Sequence, residues 1–86
     1  MAVGSIDYVA GATGEHGDPV EIARARLRDR LKEGDVVRAA GYPEEPERHV
    51  IVVRDGSTVA DLKYIRDEAG TGWLVDTEST CPSFDA

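Results

Sequence analysis

Asp61 and Asp76 are the carboxylates whose spacing admits chemistry. If the strands around them pair as the intervening turns direct, the two become cross-strand neighbours, with Lys63 diagonal to Asp76. Two carboxylates so placed can bind a divalent cation or share a proton. An antiparallel sheet commonly leaves one face wet, however, and the expectation is a solvated face on which Lys63 offsets the repulsion.

The second group is cationic. Arg24, Arg26, Arg28, Arg30 and Lys32 make up half of the 10 lysines and arginines in the chain, all on one predicted helix. They suit docking of an acidic partner or of phosphates. They can equally answer nearby carboxylates such as Glu21, Asp29 and Glu33, which is the expected use in a chain with formal charge −7.

Other chemistry-bearing residues are sparse. His16 and His49 show no HxH or HxxxH spacing, so no zinc ligand set is expected. No serine sits in a strand-turn-helix elbow, and no convergent nucleophile, base and oxyanion donor can be assembled. No catalytic residue, metal or cofactor is therefore assigned. Cys81 is the only cysteine, which excludes an internal disulfide. It reads as a small apolar residue ending the last strand, the alternative being an intermolecular disulfide that joins a homodimer.

Gly11-Ala12-Thr13-Gly14-Glu15-His16-Gly17 follows a short apolar stretch and precedes a helix, in the manner of a dinucleotide-binding loop. The context disagrees. Such a site needs a parallel βαβ unit and further strands, whereas the remainder of this chain is patterned as antiparallel hairpins. Glu15, Asp18 and Glu21 also crowd the place a phosphate would occupy, so the segment is expected to be a flexible loop.

The elements that must position these residues follow from local pattern. Asp18 is suited to N-cap a helix, Pro19 to its first position and Glu21 to a capping box. The helix is predicted from Pro19 to about Glu33, burying Val20, Ala23, Leu27 and Leu31, with Gly34 as its stop. Asp35–Ala40 reads as an edge strand. Gly41-Tyr42-Pro43 ends it, and Glu44-Glu45-Pro46-Glu47 is an acidic loop.

Asp55-Gly56 between two β-rich runs predicts a two-residue hairpin turn with positive φ at both positions. Arg54 then faces Ser57, Val53 faces Thr58, and Ile51 faces Ala60. Past the Asp67–Gly72 turn, Tyr64 is expected opposite Trp73, and Leu62 opposite Val75. The predicted core contains Val20, Ala23, Leu27, Leu31, Val37, Ile51, Val53, Ala60, Leu62, Tyr64, Trp73 and Val75. Ser5–Ala10 is a candidate further strand or an extended arm.

Composition bounds the function. At 86 residues, with 41% hydrophobic and 31% charged, the chain suits one small domain with one modest core. The acidic balance disfavours nucleic acid or an anionic membrane as partner, and a protein or peptide partner suits it better. No apolar run is long enough to span a bilayer. The first residues lack the basic and apolar regions of a signal peptide, so a cytoplasmic location is expected unless the chain derives from a secreted or anchored precursor.

Residues 50–84 carry a Asp55-Gly56 hairpin, a Gly70-Thr71-Gly72-Trp73 turn and strand start, then Cys81 and Phe84. This arrangement resembles the C-terminal domains of secreted proteins and lipoproteins of actinobacteria. The resemblance implies an extracytoplasmic location and no particular activity.

The expected fold is α+β: one amphipathic helix packed on a curved antiparallel sheet of four strands, five if the N-terminal segment joins, cystatin-like in outline. Residues 1–17 form an arm and glycine-rich loop, 18–81 the domain and 82–86 a tail. The expected function is that of a small acidic non-enzymatic binding or interaction domain. The competing expectation is a small enzyme or ligand carrier with a pocket between helix and sheet, in which Asp61 and Asp76 would be the first carboxylates to seek.

Overall fold

The computed structural model describes residues 2–5, 14–41 and 47–85. Residues 6–13, which include most of the N-terminal segment and the start of the glycine loop, lie outside the described residues, as does the acidic loop up to Pro46.

The chain folds as α+β. In order it forms β1 (Ala2–Ser5), α1 (Pro19–Arg26), β2 (Val36–Ala40), β3 (Arg48–Arg54), β4 (Ser57–Arg66) and β5 (Trp73–Thr80), then a 3₁₀ turn at Pro82–Asp85. The strands form one sheet in the order β1-β5-β4-β3-β2, with every neighbouring pair antiparallel. Strands β2 to β5 are a meander. β1 joins it at the β5 edge through Ala2–Ser5, sharing Ser5 with the Ser5–Ala10 segment suggested by the sequence.

The hairpin at Asp55-Gly56 forms as its residues dictate. Both take positive φ, +51° and +79°, and Arg54 pairs with Ser57 and Val53 with Thr58. One residue further on, a bulge intervenes. Val52 pairs with Ala60 rather than Val59, so Ile51 meets Asp61 and Val50 meets Leu62. A one-residue slip exchanges the faces of a strand. Val50 and Val52 are therefore fully buried in the core beside Ala60 and Leu62, while Ile51 belongs to the opposite face and Val53 is half-buried. The expected Ile51–Ala60 alignment is corrected.

A second bulge lies between β4 and β5. Lys63 pairs with Thr77 and Tyr64 with Val75, leaving Asp76 as the extra residue. Tyr64 is thus opposite Val75, and Trp73 pairs with Arg66. The shift from the expected Tyr64–Trp73 pairing is two residues, so Tyr64, Trp73 and Val75 keep the core face that their alternation predicted.

Helix α1 starts as its sequence directs. Asp18 Oδ1 accepts from the Val20 amide at 2.8 Å, with Pro19 at the first helical position. Its regular part ends at Arg26, not near Glu33; residues 27–30 continue as turns, with Arg30 N bonded to Leu27 O at 2.8 Å. Two like-charge i,i+4 pairs, Arg24/Arg28 and Arg26/Arg30, weaken a regular helix there. The turns also let Arg30 reach Glu78 on β5 and lie over the Phe84 ring, 4.7 Å from its centroid.

The short helix shapes the molecule. Eight residues extend about 12 Å, whereas five strands span about 19 Å across a sheet. α1 lies against β2 and β3. Phe84, fully buried, fills part of the same layer next to β4. The portion of the face formed by the end of β4 and the start of β5 is left under a cleft.

Candidate functional site: a cleft between helix and sheet

The cleft has a volume of about 380 Å³ and lies between Ile22 and Arg26 of α1 and the sheet residues Tyr64, Trp73 and Val75. Gly14 and Glu15 form its lip. Tyr64 and Trp73 are 1% and 7% exposed, so the cleft has an aromatic floor held rigidly within the core. Arg26, 40% exposed in its side chain, supplies a cation and Glu15 an anion at the rim.

The lip is built by close backbone contact. Glu15 and Trp73 exchange two backbone hydrogen bonds, 2.9 Å from Glu15 N and 2.8 Å from Trp73 N. Gly14 lies so close to this pair that a Cβ there would meet the Trp73 backbone at 2.6 Å. Gly72 is under the same constraint, its Cβ position lying 2.7 Å from Asp67 Oδ2 and from Gly14 O. Only glycine fits at either place.

Asp67 ties the parts together. Its buried carboxylate accepts from Gly14 N at 3.0 Å and Thr71 N at 3.1 Å. Backbone donors around the carboxylate, that of Gly14 foremost, hold its pKa below the usual value against the opposing effect of burial. His16 Nδ1 lies 2.9 Å from Thr71 O and closes the outer side. The described end of the glycine-rich segment is thus a docked lip, and its Gly14 amide already has a carboxylate acceptor.

Cations gather around the aromatic floor. The Arg66 guanidinium lies 3.9 Å from the centroid of the Trp73 ring and that of Arg48 5.8 Å from it. Arg66 is the cross-strand partner of Trp73, and Arg48 of Tyr64, which places both cations on the sheet face that bears the cleft. Such stacking on Trp is favourable by about 0.5–1 kcal/mol at exposed sites.

The five basic residues of the helical segment do not form one docking face. Arg26 Nε and Arg30 Nη1 both approach Glu78 Oε1 at 3.5 Å. Arg24 lies 3.9 Å from Glu21, which takes the place of the expected capping box, and Arg28 is exposed. The Lys32 backbone amide donates to Asp35 Oδ2 at 2.9 Å. Of the five, Arg26 alone lines the cleft.

Asp61 and Asp76 are not neighbours either. The shifted register of β4 on β5, together with the second bulge, puts Ser79, not Asp76, opposite Asp61. His49 Nδ1 lies 3.0 Å from Asp61 Oδ1, and Lys63 Nζ donates to Asp76 Oδ2 at 3.1 Å, which raises the Lys63 pKa. The two carboxylates occupy separate ion pairs away from the cleft, so the shared-carboxylate arrangement is corrected. Among the described residues no three His, Cys, Asp or Glu side chains converge on a metal position. Cys81 is half-buried against the core, its Sγ 3.6 Å from Thr58 O.

No described helix is long and apolar enough to cross a membrane. The sequence signalled the cleft only through Trp73 and Tyr64 as apolar positions. Asp67, Gly14 and Gly72 were legible as turn and loop residues, but their mutual contact joins segments 53 and more residues apart. No protein-family model, curated protein or solved structure matches this chain.

Proposed function

We propose that the protein is a small non-enzymatic binding domain whose site is the cleft between α1 and the β4–β5 end of the sheet. The observation that supports it is the cleft itself: about 380 Å³ of space with a buried Tyr64–Trp73 floor and the charged groups of Arg26 and Glu15 at its rim. This size is that of small-molecule sites, which are concave and usually pre-formed.

Native mass spectrometry of the protein purified from its own host tests this directly. A retained small-molecule mass, lost on substitution of Ile22 by Trp to fill the cleft, is expected. A bare chain together with an I22W variant that binds the same solutes as the parent would overturn it.

A second mode of binding is favoured by the edge of the sheet. β2 is paired on one side only among the described strands, and Val36 on it is 51% exposed. An unpaired edge is a template for an extended peptide. Replacing Arg38 by Pro, which removes a strand amide, would abolish partner capture at this edge while leaving the cleft intact; unchanged capture would exclude it.

A further inference from the structure

We propose that the occupant of the cleft is a small organic monocarboxylate, its apolar or aromatic body against Ile22, Tyr64, Trp73 and Val75 and its carboxylate on Arg26. This rests on the cleft being the binding site and adds the chemistry of its ligand.

The charge distribution carries it. The chain is acidic, at −7, yet Arg26 lines the cleft, and Arg48 and Arg66 lie over the ring of Trp73, which forms part of its floor. Arg26, a cation in the cleft lining, attracts an anion there. Asp67 beneath the lip is hydrogen-bonded to the Gly14 and Thr71 amides.

Arg26 is held in a way that leaves it recruitable. Its Nε is 3.5 Å from Glu78, and Arg30 approaches the same oxygen at the same distance. Charge-assisted bonds between guanidinium and carboxylate close to 2.7–2.9 Å, as the structural pair Arg54–Asp35 does at 2.8 Å. Glu78 keeps Arg30 if a ligand takes Arg26, so the exchange strands no carboxylate. The planar guanidinium fork matches a carboxylate through two parallel bonds.

Glu15 sets the upper limit on charge. Standing in the cleft wall on a lip followed by Asp18 and Glu21, it repels a second negative group. A single carboxylate on an apolar body satisfies Arg26 without meeting that repulsion, whereas a polyphosphate does not.

Trp73 is the sole tryptophan and forms part of the floor, so its fluorescence reports occupancy. The full chain is titrated with 4-phenylbutyrate, 4-phenylbutanol and 4-phenylbutylamine, which share one apolar body. Saturable quenching with the acid bound about tenfold more tightly than the alcohol or amine is expected, and the acid's advantage should vanish in R26Q and partly return in R26K. In E78Q, which releases Arg26 from its competitor, the acid should bind tighter still. Saturable binding of all three probes with equal affinity, or tightest binding of the amine, would overturn the carboxylate proposal while leaving the cleft standing. No saturable response to any probe, with melting temperatures unchanged across the variants, would overturn both.

Discussion

The Arg54 guanidinium closes on the Asp35 carboxylate through two hydrogen bonds of 2.8 Å, Nε to Oδ1 and Nη2 to Oδ2. Arg54 Nη1 also donates to the carbonyls of Ser83 and Phe84, at 2.9 and 3.2 Å. One side chain at the end of β3 thereby fastens the loop before β2 and the C-terminal turn. The Asp35 side chain is 2% exposed and that of Arg54 14%, so this pair is shielded from the solvent that weakens most surface ion pairs.

Acid should loosen this fastening. The hydrogen bond from Arg54 lowers the Asp35 pKa from 3.8 to about 2. A carboxyl whose folded pKa lies below its unfolded value contributes stability above the unfolded value, and that contribution is lost as pH falls from about 4 through 2. Its size is about 1–2 kcal/mol. Urea unfolding at pH 6 and pH 2.5 should show a smaller pH-dependent loss in D35N than in the parent by this amount. R54M, which leaves Asp35 buried without its cation, should cost about 3 kcal/mol at pH 6.

Phe84 should behave as a core residue. It is fully buried, with Arg30 and Arg54 over its ring at 4.7 and 5.3 Å. F84A should lose about 3–5 kcal/mol by chemical denaturation, and a melting temperature equal to the parent's would contradict the packing of the C-terminal turn.

The bulged register is open to test by paired truncations. V52A, on the core face, should cost about 2 kcal/mol, against under about 1 kcal/mol for V53A. The register without a bulge at Val59 requires the reverse order.

The lip should not tolerate a methyl group. G14A and G72A each drive a Cβ into backbone or carboxylate atoms at 2.6–2.7 Å, and each should cost about 1–3 kcal/mol. In either variant the Glu15 and Thr71 amides, bonded to Trp73 O and Asp67 Oδ1, should exchange faster with solvent. Protection equal to that of the parent would exclude a docked lip.

What could be read from the sequence divides along physical lines. Asp55-Gly56 required positive φ and obtained it, and Asp18-Pro19 capped the helix, because both signals are local. The face of β3 was not legible. His49-Val50-Ile51-Val52-Val53 is apolar at both parities, so alternation could not choose between Ile51 and Val52, and the extra residue at Val59 decided it. Asp61 and Asp76 were paired by counting from Tyr64 opposite Trp73; the β4–β5 turn sets that register two residues differently and the bulge at Asp76 adds a third, which separates them. The helix length was read from apolar spacing and from Gly34 as its stop, although the like-charged arginine pairs already opposed it. Gly14, Asp67 and Gly72 form a contact across the fold that no local pattern encodes, and the cleft that Gly14 borders lies, among the described residues, where the shortened helix does not reach.

The central claim is that the space over Tyr64 and Trp73 is a binding site. With one tryptophan in the chain, the indole Nε1–H gives a single resonance in a ¹H–¹⁵N correlation spectrum, and the Ile22 and Val75 amides report the two walls. Titration with 4-phenylbutyrate should move these three signals together along one saturable curve while the His49, Asp61 and Cys81 amides stay in place. Shifts that spread evenly over the surface, or that centre on β2 with the Trp73 indole unmoved, would contradict a binding site in this cleft.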